Sequence, residues 1–241
     1  MTIVGVNLRV FLMILLGVLL SVYIAWLANV QVGYGYSWLY SLYETDQHIE
    51  KYAPQNRFRH NFELTTEVEH KAIFQSIVDS VHDDGRGLEA ILYKANGKTY
   101  SVLHEAEIIH LQDVANLINT IHRIALFCLL LLVSLSLWHL HLRRGGQKIK
   151  ASSKGLVSIG ATLSLSIALL FAVAGTKNIF YQMHIWIFPQ DHQWFFYYQD
   201  SLMSTLMKAP DLFAGIAIQI MLVAVVVFTL GVVCCKNFLA K

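Results

Sequence analysis

Two histidines beside apolar segments are the residues of this 241-residue chain best suited to acid–base chemistry. His110 lies in the stretch Glu107-Ile-Ile-His110-Leu-Gln-Asp113. If the stretch is helical, both carboxylates fall on the face of the imidazole, because residues three apart are neighbours on a helix. A carboxylate beside an imidazole fixes its tautomer and raises its basicity. The same residues could instead ligate a metal ion or form a solvated polar face.

The second histidine, His184, lies in an aromatic segment that also contains Asp191 and Asp200. It follows a long apolar run by about eight residues, and His110 precedes another apolar run. We therefore expect the two rings to approach each other at one membrane boundary, within roughly 10 Å of each other, where they could act as general base and general acid. His192 is a weaker alternative to His184, and His70 is predicted to be a surface residue.

The composition is that of an integral membrane protein. The chain is 56% hydrophobic and 14% charged, whereas soluble domains average about 45–50% and 25%. This excludes an ordinary soluble domain and a disordered chain, and a net charge of +2 excludes a nucleic-acid binder. Four segments without Asp, Glu, Lys or Arg are long enough to span a bilayer: Val10–Val30, Ile124–Leu142, Gly155–Thr176 and Leu212–Cys235.

The charges predict an orientation. Five Lys and Arg residues and no acid occupy 143–154, which the positive-inside rule assigns to the cytoplasm. All 16 Asp and Glu residues lie in 31–123 and 177–211, which we assign to the opposite side. The predicted order is a first transmembrane helix in 1–30, an extracytoplasmic domain in 31–123, a span in 124–142, a cytoplasmic loop in 143–154, a span in 155–176, an extracytoplasmic loop in 177–211, and a last span with a cytoplasmic tail in 212–241.

The segment 31–123 is predicted to be a small α+β domain. Thr66 and Glu69 form a capping-box pattern at the start of a helix over Thr66–Asp83. Asn96-Gly97 lies between two β-rich runs, which is typical of a hairpin. The tyrosine-rich stretch 34–43 is predicted to lie at the lipid boundary. The fold class is therefore a mainly α membrane protein with four transmembrane helices and this domain between the first two.

Two paired stretches resemble the signatures of the lipoprotein intramolecular transacylase family and its integral-membrane relatives. The first is Glu105-Ala-Glu107-Ile-Ile-His110-Leu-Gln-Asp113-Val114, before the second span. The second begins at Met183-His184, continues through Pro189-Gln-Asp191-His-Gln-Trp194 to Asp200-Ser-Leu202, and is followed by Pro210 and Phe213. The resemblance covers nearly the whole chain.

The resemblance implies an acyltransferase of the bacterial inner membrane. It would move an acyl chain from the S-linked diacylglycerol of a diacylated lipoprotein to the α-amino group of the same N-terminal cysteine, giving a lyso-form lipoprotein. His110 and His184 would be catalytic. The residues expected to orient groups or bind substrate are Glu107, Asp113, Asp191, Trp194 and Asp200.

No cofactor or metal is expected, since an ester-to-amide shift is downhill. The expected partners are the lipoprotein and membrane lipid, with the active site on the extracytoplasmic face. Two other classes stay open. One is a non-enzymatic chaperone or lipid-binding protein, and the other is a metal-dependent hydrolase using Glu107, His110 and His184.

Overall fold

The computed structural model describes residues 2–3, 6–144 and 175–240. The chain is mainly helical, with two short two-stranded antiparallel sheets in this part of the chain. The α-helices are α1 (Leu8–Val30), α2 (Tyr36–Leu42), α3 (Thr45–Tyr52), α4 (Glu67–His82), α5 (Glu105–Arg144), α6 (Thr176–Ile187), α7 (Leu202–Met207) and α8 (Asp211–Ala240). The strands are β1 (Thr2–Ile3), β2 (Val6–Asn7), β3 (Leu92–Ala95) and β4 (Lys98–Ser101).

Three of the described helices are long and apolar enough to cross a membrane. They are Leu8–Val30, Glu105–Leu142 and Asp211–Cys234, with mean hydropathies of 2.6, 2.1 and 2.8. A 23-residue helix such as α1 is about 35 Å long, which exceeds a hydrocarbon core of about 30 Å. The predicted span Gly155–Thr176 lies outside the described residues except for its last two, and Thr176 begins α6.

The described residues form two compact units. One takes in Met1–Ala28 with the described parts of Ile121–Val173 and Ile218–Lys241. Its buried centre is Val10, Met13 and Ile14 of α1, against which Leu132 and Leu135 of α5 and Phe228 and Val232 of α8 pack. Large apolar side chains point outward from α5 and α8, among them Phe127, Leu130, Leu222 and Leu230. Such continuous apolar surface suits lipid rather than water.

The other unit takes in Asn29–Thr120 and the described part of Ala174–Ala217. Helix α4 begins with the predicted capping box, in which the Thr66 N–H donates to Glu69 Oε2 at 2.7 Å and the Glu69 N–H donates to Thr66 Oγ1 at 3.3 Å. Strands β3 and β4 pair with Ala95 opposite Lys98. Asn96 and Gly97, at φ 50° and 74°, supply the positive φ values that a tight hairpin turn requires. The predicted helix and hairpin are both confirmed.

Two predictions about this unit are wrong. Tyr36 and Tyr40, assigned to the lipid boundary, are 3% and 2% exposed, and the Tyr36 ring stacks on Phe74 at 3.9 Å between centroids. His70, predicted to be a surface residue, is 4% exposed. Its Nδ1 contacts the Tyr40 hydroxyl at 2.8 Å and its Nε2 contacts Thr65 Oγ1 at 2.7 Å. The tyrosine hydroxyls are satisfied inside the protein, and this lets the rings join the core.

The candidate residues, all in the second unit, lie on two helices and one irregular segment. The sequence has no Pro or Gly from His104 until Gly145, which predicts a single long helix. Helix α5 runs without interruption for 40 residues, so this prediction is confirmed. Its first turns carry Glu107, His110 and Asp113. Helix α6 carries His184, and the irregular segment between α6 and α7 carries the remaining candidates.

Candidate active site

The structure brings His110 and His184 together. Their ring centroids are 5.8 Å apart, with 35° between the ring planes, although 74 residues separate them in sequence. This confirms the predicted approach within roughly 10 Å. The His110 side chain is buried, with 7% exposure. We call these two rings the histidine pair.

Aromatic rings surround the histidine pair. The centroid of Phe188 lies 4.9 Å from that of His110 and 5.1 Å from that of His184. Trp194 and Phe180 lie 5.0 Å and 4.1 Å from His184. Burial lowers the pKa of His184 below its ordinary value of 6.5, and a hydrogen bond to Phe180 offsets part of this effect. The ring is therefore neutral at neutral pH.

The hydrogen bond of His184 defines its tautomer. Its Nδ1 lies 2.7 Å from the main-chain oxygen of Phe180, one helical turn earlier. A carbonyl oxygen can only accept a hydrogen bond, so Nδ1 must carry the proton. In the neutral ring, Nε2 then carries the lone pair and can accept a proton.

Asp113 contacts a different histidine from the one expected. Its Oδ2 lies 2.7 Å from Nδ1 of His192. This hydrogen bond raises the pKa of His192, and the charges of Asp113 and Asp191 add to the effect. Nδ1 of His110 is buried and has no hydrogen-bond partner within the described residues. The expected hydrogen bond from a flanking carboxylate to His110 is therefore not formed by Asp113.

Glu107 is also engaged elsewhere. Its carboxylate is completely buried, and Oε1 accepts hydrogen bonds from Ser201 Oγ at 2.5 Å and from the Met203 N–H at 3.3 Å. Oε2 accepts the His104 N–H at 2.8 Å. One carboxylate thus joins the first turn of α5 to the first turn of α7. This arrangement makes Glu107 a structural link beside the histidine pair.

The other two candidate acids lie in the same irregular segment as Trp194. Asp200 forms an ion pair with Arg57, with 2.6 Å between Oδ1 and Nη2. Asp191 is exposed, and it forms no hydrogen bond or ion pair with any residue that the structure describes. Neither acid contacts the histidine pair directly, so a role in substrate binding stays a prediction for both.

Several residues of the site were not singled out from the sequence. Phe180 could have been found, because a residue four positions before His184 lies on the same helix face. Ser201 precedes a short apolar run, which is a signal for a helix N-cap, and its hydroxyl does accept the Ser204 N–H at 2.8 Å. Its bond to Glu107 joins residues 94 positions apart, and no local pattern predicts such a contact.

The described residues contain no group of three or more His, Cys, Asp or Glu side chains placed to hold a metal ion. The set considered for a metal-dependent hydrolase does not form, because the Glu107 carboxylate is bonded to Ser201, Met203 and His104. The histidine pair with its aromatic surroundings is therefore taken as the candidate active site.

Comparisons with known proteins agree with the resemblance noted in the sequence. The family described as "Lipoprotein intramolecular transacylase Lit" matches residues 7–209. Neither the comparison with curated proteins nor that with solved structures gave a match. The matched segment covers well over half of the chain and includes both histidines and all the acids discussed above. The chain therefore belongs to the lipoprotein intramolecular transacylase family.

Proposed function

We propose that this protein is a membrane acyltransferase that moves an acyl chain from the S-linked diacylglycerol of a lipoprotein to the α-amino group of its N-terminal cysteine. Membership of the family supports the general class of reaction. The observation that carries the assignment to particular residues is the 5.8 Å approach of His110 and His184. Both are proposed to be catalytic.

His184 is the proposed general base. Its Nδ1 proton is engaged by the Phe180 carbonyl, which leaves Nε2 as the proton acceptor. The substrate α-amine has a pKa of roughly 7.7–8.0, so a nearby neutral imidazole can remove its proton as the amine attacks. The neutral ring of His110 always carries one N–H, which we assign to the carbonyl oxygen of the ester as negative charge develops there.

The reaction balances without another reactant. The amine nitrogen forms a bond to the ester carbonyl carbon, and His184 takes a proton from that nitrogen. The bond between the carbonyl carbon and the glycerol oxygen then breaks, and His184 returns the proton to that oxygen. Since the amine and the ester belong to one bound molecule, their proximity accounts for much of the reduction of the activation barrier.

The site is proposed to face away from the cytoplasm. Lipoproteins are held by their acyl chains in the outer leaflet of the bacterial inner membrane, so an enzyme acting on the ester must present its site there. The basic segment 143–154 and the acids of 31–123 and 177–211 support an orientation with both termini in the cytoplasm. Membrane lipid surrounds the spans in this arrangement.

The decisive experiment is an assay with purified protein. Wild type, His110→Ala, His184→Ala and His184→Asn would be mixed with a diacylated lipopeptide in EDTA, and the product analysed by mass spectrometry for N-acylation. Asn at 184 keeps a donor for the Phe180 carbonyl but supplies no base, so it separates basicity from ring placement. His60→Ala is the matched control, because His60 is exposed and its side chain forms no hydrogen bond, ion pair or ring contact within the described residues.

We expect lyso-form product from wild type and from the His60 control, and none from the three site variants. Full activity in either His184 variant would overturn the assignment of the base. Wild-type activity that is present without EDTA and lost in EDTA would contradict a metal-independent reaction. A wild type without activity and an unchanged lipoprotein profile in cells lacking the protein would favour a non-enzymatic chaperone or lipid-binding protein.

A further inference from the structure

We propose that Asp113 and His192 are positioning residues that hold the segment 188–197 against the histidine pair. We call this segment the aromatic loop. The predicted effect on catalysis rests on the proposed function. The claim that these residues hold the aromatic loop in place can be tested without an active enzyme. It assigns a role to His192 and gives Asp113 a role different from orienting His110.

The aromatic loop has little backbone structure of its own. It contains no helix or strand, and its one main-chain hydrogen bond between loop residues joins the His192 N–H to the Pro189 oxygen at 3.3 Å. Yet it places Phe188 and Trp194 on the histidine pair, and Phe196 lies 6.1 Å from His110 between ring centroids. The Gln193 side chain adds one more internal bond, to the Phe195 oxygen at 3.0 Å. A loop with so few internal hydrogen bonds needs external contacts to keep such an arrangement.

The hydrogen bond between Asp113 and His192 is that attachment. Within the described residues it is the only side-chain hydrogen bond that joins the aromatic loop to α5. It is charge-assisted, which strengthens a hydrogen bond; the Asp113 side chain is 14% exposed and that of His192 is 36% exposed. Asp113 lies one helical turn after His110, so one helix presents both a proposed catalytic ring and the anchor of the loop that covers it.

The residues that follow the aromatic loop are held separately. The Arg57 N–H donates to the Gln199 oxygen at 2.8 Å, and the Arg57 side chain pairs with Asp200. Ser201 is bonded to Glu107. Loss of the Asp113–His192 bond should therefore release the aromatic loop while α7 and the link through Glu107 stay in place.

Limited proteolysis tests this inference on the full chain in detergent. Chymotrypsin can cleave after Phe196 only when that side chain, 6% exposed, leaves its contacts. Because a hydrogen bond with one exposed partner is broken, we expect His192→Ala and Asp113→Ala to cleave there about 2- to 10-fold faster than wild type. The double variant should cleave no faster than either single variant, because both remove one bond.

Conservative variants separate positioning from general damage. His192→Asn keeps an N–H donor in the place of Nδ1, and Asp113→Asn keeps an oxygen that can accept it, so each should cleave more slowly and retain more of kcat than the alanine variant at the same position. His192→Ala should lower kcat about 10-fold or more with a smaller change in KM, since the loop orders the reacting groups. His60→Ala is the control for cleavage and for kcat.

Two outcomes would overturn the inference. Cleavage after Phe196 at the wild-type rate in both alanine variants would show that the bond does not hold the loop. Faster cleavage with an unchanged kcat would show that the loop does not position the histidine pair. If wild type gives no lyso-form product, the proposed function is contradicted, and the cleavage rates still decide whether the bond holds the loop.

Discussion

Substitutions of Glu107 test whether its carboxylate only stabilises the fold or also takes part in the chemistry. In Glu107→Ala, the Met203 and His104 N–H groups and the Ser201 hydroxyl lose their acceptor. The hydroxyl can rotate to another acceptor, but the two main-chain donors cannot move. At about 1–3 kcal/mol for each unsatisfied buried donor, the free energy of unfolding should fall by roughly 2–6 kcal/mol.

Glu107→Gln should lower the free energy of unfolding by less than Glu107→Ala does. The amide oxygen can accept the hydrogen bonds of Ser201 and Met203, but the amide NH₂ then faces the His104 N–H. The His104 N–H therefore stays unpaired, at a cost of about 1–3 kcal/mol. The assay is denaturant unfolding in detergent, with product formation measured per folded molecule at a temperature where every variant is folded. We expect both variants to be active once folded, and Gln to lie between wild type and Ala in stability. A Gln variant as stable as wild type but inactive would refute this reasoning, because the carboxylate would then act in the chemistry.

Three further predictions concern pH and topology. Below the pKa of the substrate amine, about 8, log(kcat/KM) should rise with pH with a slope of one, because only the neutral amine attacks. Burial lowers the pKa of His184 below its ordinary value of 6.5, so protonation of this base should steepen the slope to two only below pH 6.5. A slope of two above pH 6.5 would contradict the assignment of His184. Burial lowers the pKa of His70 to about 4, so the contribution of the neutral His70 ring to stability is complete above pH 6.5 and falls by about 3 kcal/mol between pH 6.5 and 4; thermal unfolding of His70→Asn should therefore show a smaller loss of stability than wild type over this pH range. In a cysteine-free background, an outside-only thiol reagent should label a cysteine placed at Asn96 but not one at Ser152, and the reverse result would refute the orientation.

Local patterns predict the local structure of this chain well. The capping box at Thr66 and the turn at Asn96-Gly97 depend on residues within four positions, and both form as expected. The approach of His110 and His184 was also predictable, because the ends of apolar segments on one side of a membrane share a depth. These inferences need only periodicity and the geometry of a bilayer.

Partners across the fold were not predictable in the same way. Helical spacing placed Glu107 and Asp113 beside His110, but their carboxylates bond Ser201 and His192, which lie 94 and 79 positions away. The sequence placed Tyr40 at the lipid boundary and His70 at the surface, but both are buried, and each satisfies a hydrogen bond of the other. Polar residues of this kind can be assigned only when both partners are known.

The group that sets the tautomer of His184 is a main-chain oxygen, and this has an evolutionary consequence. No substitution at position 180 removes a carbonyl, so the Nδ1 proton of His184 keeps its acceptor as long as α6 stays helical. An alignment of related sequences searched for covariation should therefore find no partner for His184. Asp113 and His192 should behave differently, because each depends on the side chain of the other. Of His184 and His192, the histidine proposed to do the chemistry is thus the one whose orientation is least easily disturbed by mutation.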